Sequence, residues 1–240
     1  MKISNQPSGQ DIQAMFDRLA PSYDRFNQMV SLGQDRIWRE EVLKNVKEGS
    51  RILDVGCGTG DLTLGAARRM RAGEVVGLDF SSQMIAIAQK RADRLANEHP
   101  YYAPVRFVCD SAENLPLEKK PFDLVVSGFV LRNIYEKIDR VMEGIHRSLK
   151  DGGRVALVDF TEPPGSIRNI LWKTYMNTAG ALCGRIAFGR DYPGSYLTDS
   201  AKRFLKPDEF CATLRHNGFM NIKLKRFMMG IIVLYEAEKA

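Results

Sequence analysis

The stretch from Arg51 to Asp61, RILDVGCGTGD, narrows the choice of fold more than any other part of this chain. Ile52, Leu53 and Val55 form a short apolar run with Asp54 near its end, and Gly56, Gly58 and Gly60 follow. An apolar run closing on an acid and then on alternating glycines predicts a buried strand, a tight turn and a helix beginning near Asp61. The glycines admit positive φ and let a ligand approach the peptide units without meeting a Cβ. The first N–H groups of the new helix then face whatever the loop holds. The spacing disfavours a dinucleotide, whose fingerprint needs a glycine five residues after the first. That position is Asp61, and an acid at a helix start repels a pyrophosphate. An adenine nucleoside carrying a sulfonium and an amino-acid tail fits better. Its two cationic centres would sit near Asp54 and its carboxylate would take the loop N–H groups. A purely structural turn is the competing reading.

Glu74 to Asp79, EVVGLD, reads as a second strand. Asp79 lies about 20 residues beyond the loop, where an acid at a strand tip accepts both ribose hydroxyls. Its alternative role is a helix cap before Ser81. Together the two acids make S-adenosylmethionine the best ligand. A third strand over Val105–Cys109 is followed by DSAENLPL, where Asp110 or Ser111 can meet the adenine amino group and the Ala112 backbone a ring nitrogen.

Further strands are expected over Phe122–Ser127 and Arg154–Phe160, the latter entered through Asp151-Gly152-Gly153. Helices are expected over Asp11–Ala20, Gln34–Val46, Thr63–Arg71, Ser82–Ala96, Glu136–Leu149 and Pro207–Asn217. This alternation implies a doubly wound α/β fold with a mostly parallel sheet. MNIKLKRF and GIIVLYEAE close the chain as two more strands, bringing the sheet to seven with an antiparallel last strand. Residues 1–240 read as a single domain without an interdomain linker. Residues 1–10 are polar and read as disordered.

Two segments do not belong to that rhythm. Residues 1–48 carry Tyr23, Phe26, Met29 and Trp38, which either pack a helix onto the core or form a flap over a ligand. Residues 161–206 exceed what a crossover needs and have apolar residues at helical spacing, as a substrate lid, a membrane-contacting element or a plainly packed helix would.

The net charge of +6 arises from scattered residues, 35 basic against 29 acidic. It suits an anionic surface, but no basic run interleaved with aromatics and no Pro-Cys or Asn-Pro-Pro-Tyr motif marks a nucleic-acid enzyme. The four cysteines and three histidines are dispersed, which argues against a metal site or disulfide framework. No run approaches the ~18 apolar residues of a spanning helix, and no signal peptide opens the chain. The expectation is a cytoplasmic protein, at most peripheral at the inner face of a membrane.

Over nearly its whole length the chain resembles the menaquinone and ubiquinone biosynthesis C-methyltransferases. MFDRLAPSYDRFNQMVSLGQDRIWR is similar to that family's opening block, with Tyr23, Asp24, Asn27, Ser31 and Trp38 in place. DVGCGTGDLT, GLDFSSQM, AENLPL, Leu131-Arg132-Asn133 and DGG continue the match, and YPGSYLTDSAKRF carries Tyr196, Leu197, Ser200 and Phe204. The resemblance implies a Rossmann-like class I methyltransferase fold and cofactor contacts at Thr59, Asp79, Ser111, Ala112 and Gly128. Many relatives have Asp or Asn at the Ser111 position, where this chain has its acid one residue earlier at Asp110. Some have Ser at Gly128. Backbone contacts survive both differences.

The implied reaction is methylation of a prenylated quinol ring, demethylmenaquinol or the related benzoquinol, with transient membrane contact. A quinol with one hydroxyl deprotonated has carbanion character at the adjacent carbon, so the protein must mainly position, exclude water and ease proton loss. Arg132 can stabilise the quinolate charge or serve as a structural ion pair. Tyr23, Asp24, Tyr196 and a histidine are candidate proton partners. Competing readings are a methyltransferase of another lipid, a nucleic-acid-binding protein and a nucleotide-binding protein without catalysis. The sequence leaves oligomeric state open, a homo-oligomer included.

Overall fold

The computed structural model describes residues 9–98, 101–115, 120–194, 196, 199–200 and 204–240. The opening residues 1–8, His99, Pro116, Leu117 and Leu197 lie outside them. Helices α1 (Gly9–Leu19), α2 (Tyr23–Val30) and α3 (Asp35–Leu43) precede strand β1 (Arg51–Val55). Then come α4 (Asp61–Ala67), β2 (Glu74–Asp79), α5 (Ser82–Glu98), β3 (Val105–Cys109), β4 (Phe122–Gly128), α6 (Ile138–Ser148) and β5 (Leu149–Phe160). Helix α7 (Ser166–Tyr175) runs through a π-helical turn, Met176–Gly180, into α8 (Ala181–Phe188). Helix α9 (Pro207–His216) and strands β6 (Phe219–Phe227) and β7 (Ile232–Lys239) close the chain.

The strands form one seven-stranded sheet in the order β3-β2-β1-β4-β5-β7-β6. Strands β1 to β5 run parallel, and β7 lies antiparallel between β5 and β6. Side chains alternate faces along each strand. Leu53, Val125, Val155 and Leu157 therefore join one core with Val141 and Ile145 of α6 and Phe210 and Leu214 of α9. Ile52, Leu124, Val126 and Ala156 join the opposite core, with Trp38 and Val42 of α3 and Leu62 and Ala66 of α4. Both faces of the central strands β1, β2 and β4 are buried, which explains why these strands read as continuous apolar runs.

Several boundaries differ from expectation for local reasons. Helix α4 opens at Asp61, as expected, because Gly60 at φ +90° reverses the chain and its carbonyl accepts Leu64 N–H at 2.8 Å, but it ends at Ala67 rather than Arg71. Helix α3 spans less than the expected Gln34–Val46. Before α6, Leu131–Asn133 and Tyr135–Lys137 form 3-10 turns, so the helix starts at Ile138 and not Glu136. Strand β5 starts at Leu149, which pairs with Phe122, and a bulge intervenes before Arg154 pairs with Leu124. Gly152, at φ +69°, lies in that bulge. The segment after Pro21, read as either a helix packed on the core or a flap over a ligand, contains helix α2.

Candidate active site

In an open parallel sheet, ligands bind outside the carboxyl ends of the strands where the strand order reverses. Here the reversal lies between β1 and β4, and a cavity of about 680 Å³ opens there. Asp54, Gly56, Gly58 and Thr59 line it from the glycine loop, Asp79 from β2, Asp110, Ser111 and Ala112 from the turn after β3, and Gly128 from β4. Gly60 does not line it. An added Cβ there would stand 3.2 Å from Ala88 Cβ, so its glycine serves the packing of α4 on α5.

Asp54 is almost fully buried, and its Oδ2 accepts the Thr63 hydroxyl at 2.6 Å. Its Oδ1 is buried without a hydrogen-bond donor among the described residues. Burial, with Asp79 and Asp61 nearby, pushes its carboxyl up to about 7. The Asp79 carboxylate accepts Gly58 N–H at 2.8 Å and Ser81 N–H at 2.9 Å. Burial outweighs these bonds and pushes it up to about 6. The helix cap belongs to Ser81, whose hydroxyl accepts Met84 N–H. Asp110 Oδ1 accepts Ser111 N–H and Asn114 Nδ2, which fixes the turn that presents Ser111 and Ala112.

The acid at the start of α4, expected to repel a phosphate, is not an isolated charge. Its carboxylate meets Arg91 Nη2 at 2.6 Å and Arg39 Nη2 at 3.3 Å, so its charge is offset by two guanidinium groups. Repulsion of phosphate by Asp61 is correspondingly weakened, and the glycine spacing carries that exclusion. Arg91 Nη1 also donates to Asp24 Oδ2 at 3.0 Å and to Thr59 O at 2.9 Å. The Thr59 hydroxyl donates to Asp24 Oδ1 at 2.6 Å. These bonds clamp α2 onto the glycine loop. Asp24 is held within this clamp and lines neither cavity.

Helix α1, part of the 1–48 segment, also reaches the site. Its Gln13 and Phe16 line the cavity, with Gln13 Nε2 donating to Phe80 O at 2.7 Å. Asp17 Oδ1 accepts the Ser81 hydroxyl at 2.5 Å. The apolar stripe of α1 was the available signal, but nothing local says which surface it covers.

A second, apolar cavity of about 260 Å³ adjoins the first. Phe26, Val30 and Trp38 from α2 and α3 line it together with Trp172, Tyr175 and Met176 from the insertion. Tyr23, Phe129 and Arg132 line both cavities. Arg132 Nη1 lies 2.5 Å from Asp159 Oδ1 and donates to Phe129 O at 2.8 Å, so it is both an ion-pair member and a wall of the site. Burial works against its charge, but Asp159 and Tyr23 outweigh it and raise the guanidinium above its ordinary value. Burial likewise raises the Tyr23 phenol, against the pull of Arg132, which leaves it a neutral donor near pH 7. Tyr196 lines only the larger cavity and bonds to Asn133 Oδ1 at 3.0 Å. His146 packs on Phe219 and, like His216, lines neither cavity.

The site suits S-adenosylmethionine. It offers a buried carboxylate oxygen in need of a donor and a second acid at the next strand tip. Its glycine loop is open at Gly58, where an added Cβ would meet nothing within 4 Å. Among the described residues no group of His, Cys, Asp and Glu could hold a metal ion. No helix among them is long and apolar enough to cross a membrane.

Comparison with known proteins agrees with this geometry. The ubiE/COQ5 methyltransferase family model matches residues 4–239. The chain is 33% identical over 223 residues to a demethylmenaquinone methyltransferase of Lactiplantibacillus plantarum, covering 92% of each. It is 34% identical over 234 residues to the ubiquinone/menaquinone biosynthesis C-methyltransferase UbiE of Geotalea uraniireducens, covering 96% of this chain and 97% of that one. Its fold is similar to a solved SAM-dependent methyltransferase of Thermotoga maritima, with a TM-score of 0.65 at 18% identity, covering 95% of this chain and all of that one.

Proposed function

The chain belongs to the ubiE/COQ5 methyltransferase family, and on that premise we propose that it methylates a ring carbon of a prenylated quinol in respiratory quinone biosynthesis. The substrate is demethylmenaquinol, the related benzoquinol, or both. The observation that carries this reading is the junction of two cavities at Tyr23, Phe129 and Arg132. One has the acids and glycine loop for S-adenosylmethionine, and the other is walled by aromatic and aliphatic side chains.

S-adenosylmethionine, when bound, supplies an electrophilic methyl group. Asp54 and the Gly56–Thr59 loop would hold its amino-acid end, Asp79 its ribose, and Ser111 and Ala112 its adenine. The apolar cavity would take the quinol ring, excluding water from it by the walls of α2, α3 and α7. Loss of one quinol proton puts negative charge on the ring oxygen. Tyr23 can donate a hydrogen bond to that oxygen, and Arg132 offers positive charge tempered by Asp159. Residues 161–206 act as the lid over this cavity and residues 1–48 as its other wall. Transient contact with a membrane surface gives access to a substrate whose prenyl tail is not soluble.

The test is methyl transfer from labelled S-adenosylmethionine to two reduced short-chain quinols, a demethylmenaquinol and a demethylated benzoquinol. Label in the naphthoquinol alone assigns the enzyme to menaquinone synthesis, and label in both makes it dual. Label in neither, with cofactor binding intact, overturns the quinol reading.

A further inference from the structure

Among the described residues five non-glycine positions have positive φ: Leu32, Phe129, Asn221, Met228 and Met229. Asparagine tolerates that conformation, but for the others it is costly. The remaining four all line the apolar cavity. Strained conformations gathered at one place point to a function that the surrounding structure sustains. Leu32 is 75% exposed and Met229 63%, while both line the cavity, so they mark where it opens to solvent.

The helices beside that opening are inverted relative to an ordinary surface helix. Ile167, Ile170 and Leu171 stand exposed at i, i+3 and i+4 on α7, and Leu182 and Ile186 at i, i+4 on α8. Outward apolar rows of this kind mark an interaction surface. Residues 163–190 contain no Asp or Glu but carry Arg168, Lys173, Arg185 and Arg190. Lys173 pairs with Glu162, whereas Arg168 and Arg185 have no ion-pair partner among the described residues. Apolar side chains flanked by unopposed cations, on helices lying along a surface, complement an anionic bilayer interface.

We propose that the rim of the apolar cavity, together with the outward face of α7 and α8, docks on an anionic phospholipid bilayer. Leu32, Met228 and Met229 then enter the interface around the opening. The quinol ring passes directly from bilayer to cavity while its prenyl tail stays among the acyl chains. The binding surface is independent of catalysis, but the passage of substrate rests on the quinol reading above.

The experiment compares the full chain with Ile167→Glu/Ile170→Glu, which alters exposed residues that line neither cavity. Sedimentation with phosphatidylcholine vesicles, with and without phosphatidylglycerol, measures docking. The wild-type chain should prefer the anionic vesicles, and the variant should bind them at least about tenfold more weakly. Arg185→Gln should weaken anionic binding by about fivefold and leave binding to pure phosphatidylcholine unchanged. Turnover of a long-prenyl quinol in vesicles should fall with binding in the glutamate variant, while turnover of a short-chain quinol in solution is retained. Equal vesicle binding by wild type and variant overturns the proposal, as does indifference to anionic lipid. If light scattering shows a wild-type dimer that the glutamates split, the face joins two copies of the chain and the proposal also falls. Vesicle docking without turnover of any quinol would leave this surface standing and defeat only the assigned reaction.

Discussion

Arg132 and Asp159 form a buried ion pair, Nη1 to Oδ1 at 2.5 Å, with side chains 2% and 0% exposed. The same carboxylate accepts the Arg132 backbone N–H at 3.0 Å and that of Phe160 at 2.6 Å. It thus fixes the turn after β4 to the end of β5, beneath the junction of the two cavities. The Arg132 guanidinium also lies over the Phe160 ring, 5.1 Å from its centroid.

Arg132→Ala would strand the Asp159 charge, which typically costs about 3–5 kcal/mol. Loss of activity in that variant alone would therefore not separate scaffold from chemistry. Arg132→Met with Asp159→Asn removes both charges at similar volume, and thermal unfolding should show most of the stability regained. Quinol turnover should stay down by about 100-fold if the guanidinium supports the developing oxyanion. Turnover that returns along with stability would make Arg132 a scaffold residue only.

The raised carboxyls of Asp54 and Asp79 set a pH dependence with a definite sign. Asp54 titrates near 7 in the fold against an ordinary 3.8, so between those values the folded chain holds a proton that the unfolded chain has lost. Stability contributed by this group is full below the ordinary value and declines as pH rises toward 7. Asp79, near 6, acts in the same direction over a narrower window. Binding a cation beside Asp54 expels that proton, so affinity for S-adenosylmethionine should rise from about pH 5 to about pH 8. Calorimetry in buffers of different ionisation enthalpy should show the proton leaving. Asp54→Asn should raise the ligand-free Tm at about pH 8 by several degrees, lose that advantage near pH 4, and bind the cofactor less well. Affinity that stays flat with pH would mean that neither carboxyl faces the cation.

The glycine loop makes a prediction by contrast. Gly56 and Gly58 both have positive φ, at +69° and +53°. A Cβ on Gly58 would meet nothing within 4 Å, but one on Gly56 would stand 2.2 Å from Val130 Cγ2. Gly58→Ala should cost only the backbone term of about 1–2 kcal/mol. Gly56→Ala should cost that and an overpacking term of about 1–3 kcal/mol more. Val130→Ala in the same chain should recover part of the second loss but none of the first. Denaturant unfolding of the wild type, Gly56→Ala, Val130→Ala and the double variant forms the cycle, and equal losses for Gly56→Ala and Gly58→Ala would remove the steric argument.

What the sequence disclosed follows from how far each signal travels along the chain. Strands β1, β2 and β4 are buried on both faces, so their apolar runs, and the acids near the ends of β1 and β2, are written locally. Asp54, Gly56, Gly58, Asp79 and the Asp110–Ala112 turn were legible for the same reason. The charge of Asp61 was not, because Arg39 and Arg91 reach it from other helices. Gly60 sits in the same motif as its neighbours yet faces Ala88, and spacing alone does not show direction. The early start of β5 depended on a bulge against Phe122, and the role of α1 on where it docks. The apolar cavity draws on α2, α3, α7 and the β6–β7 turn, which no single stretch of sequence reports.

That β6–β7 turn supplies the last prediction. Phe227 pairs with Ile232, and the Ile231 N–H closes on Met228 O at 3.2 Å, so Met229 and Gly230 are the central residues of the turn. Their φ values are +56° and +96°. Turns with positive φ at both centres favour Asn-Gly, because asparagine accepts the left-handed region that a methionine resists. Met229→Asn should therefore stabilise the protein by about 1 kcal/mol, and Tm should rise by about 2–4 °C. The same change puts an amide where a 63% exposed methionine stands at the cavity opening. Turnover of a long-prenyl quinol presented in anionic vesicles should fall several-fold, while turnover of a short-chain quinol in solution should hold. Opposite signs for stability and vesicle turnover would show that the strained methionine is retained for its apolar side chain. If both rise together, the turn is merely unoptimised, and Met229 has no part in the entry of substrate.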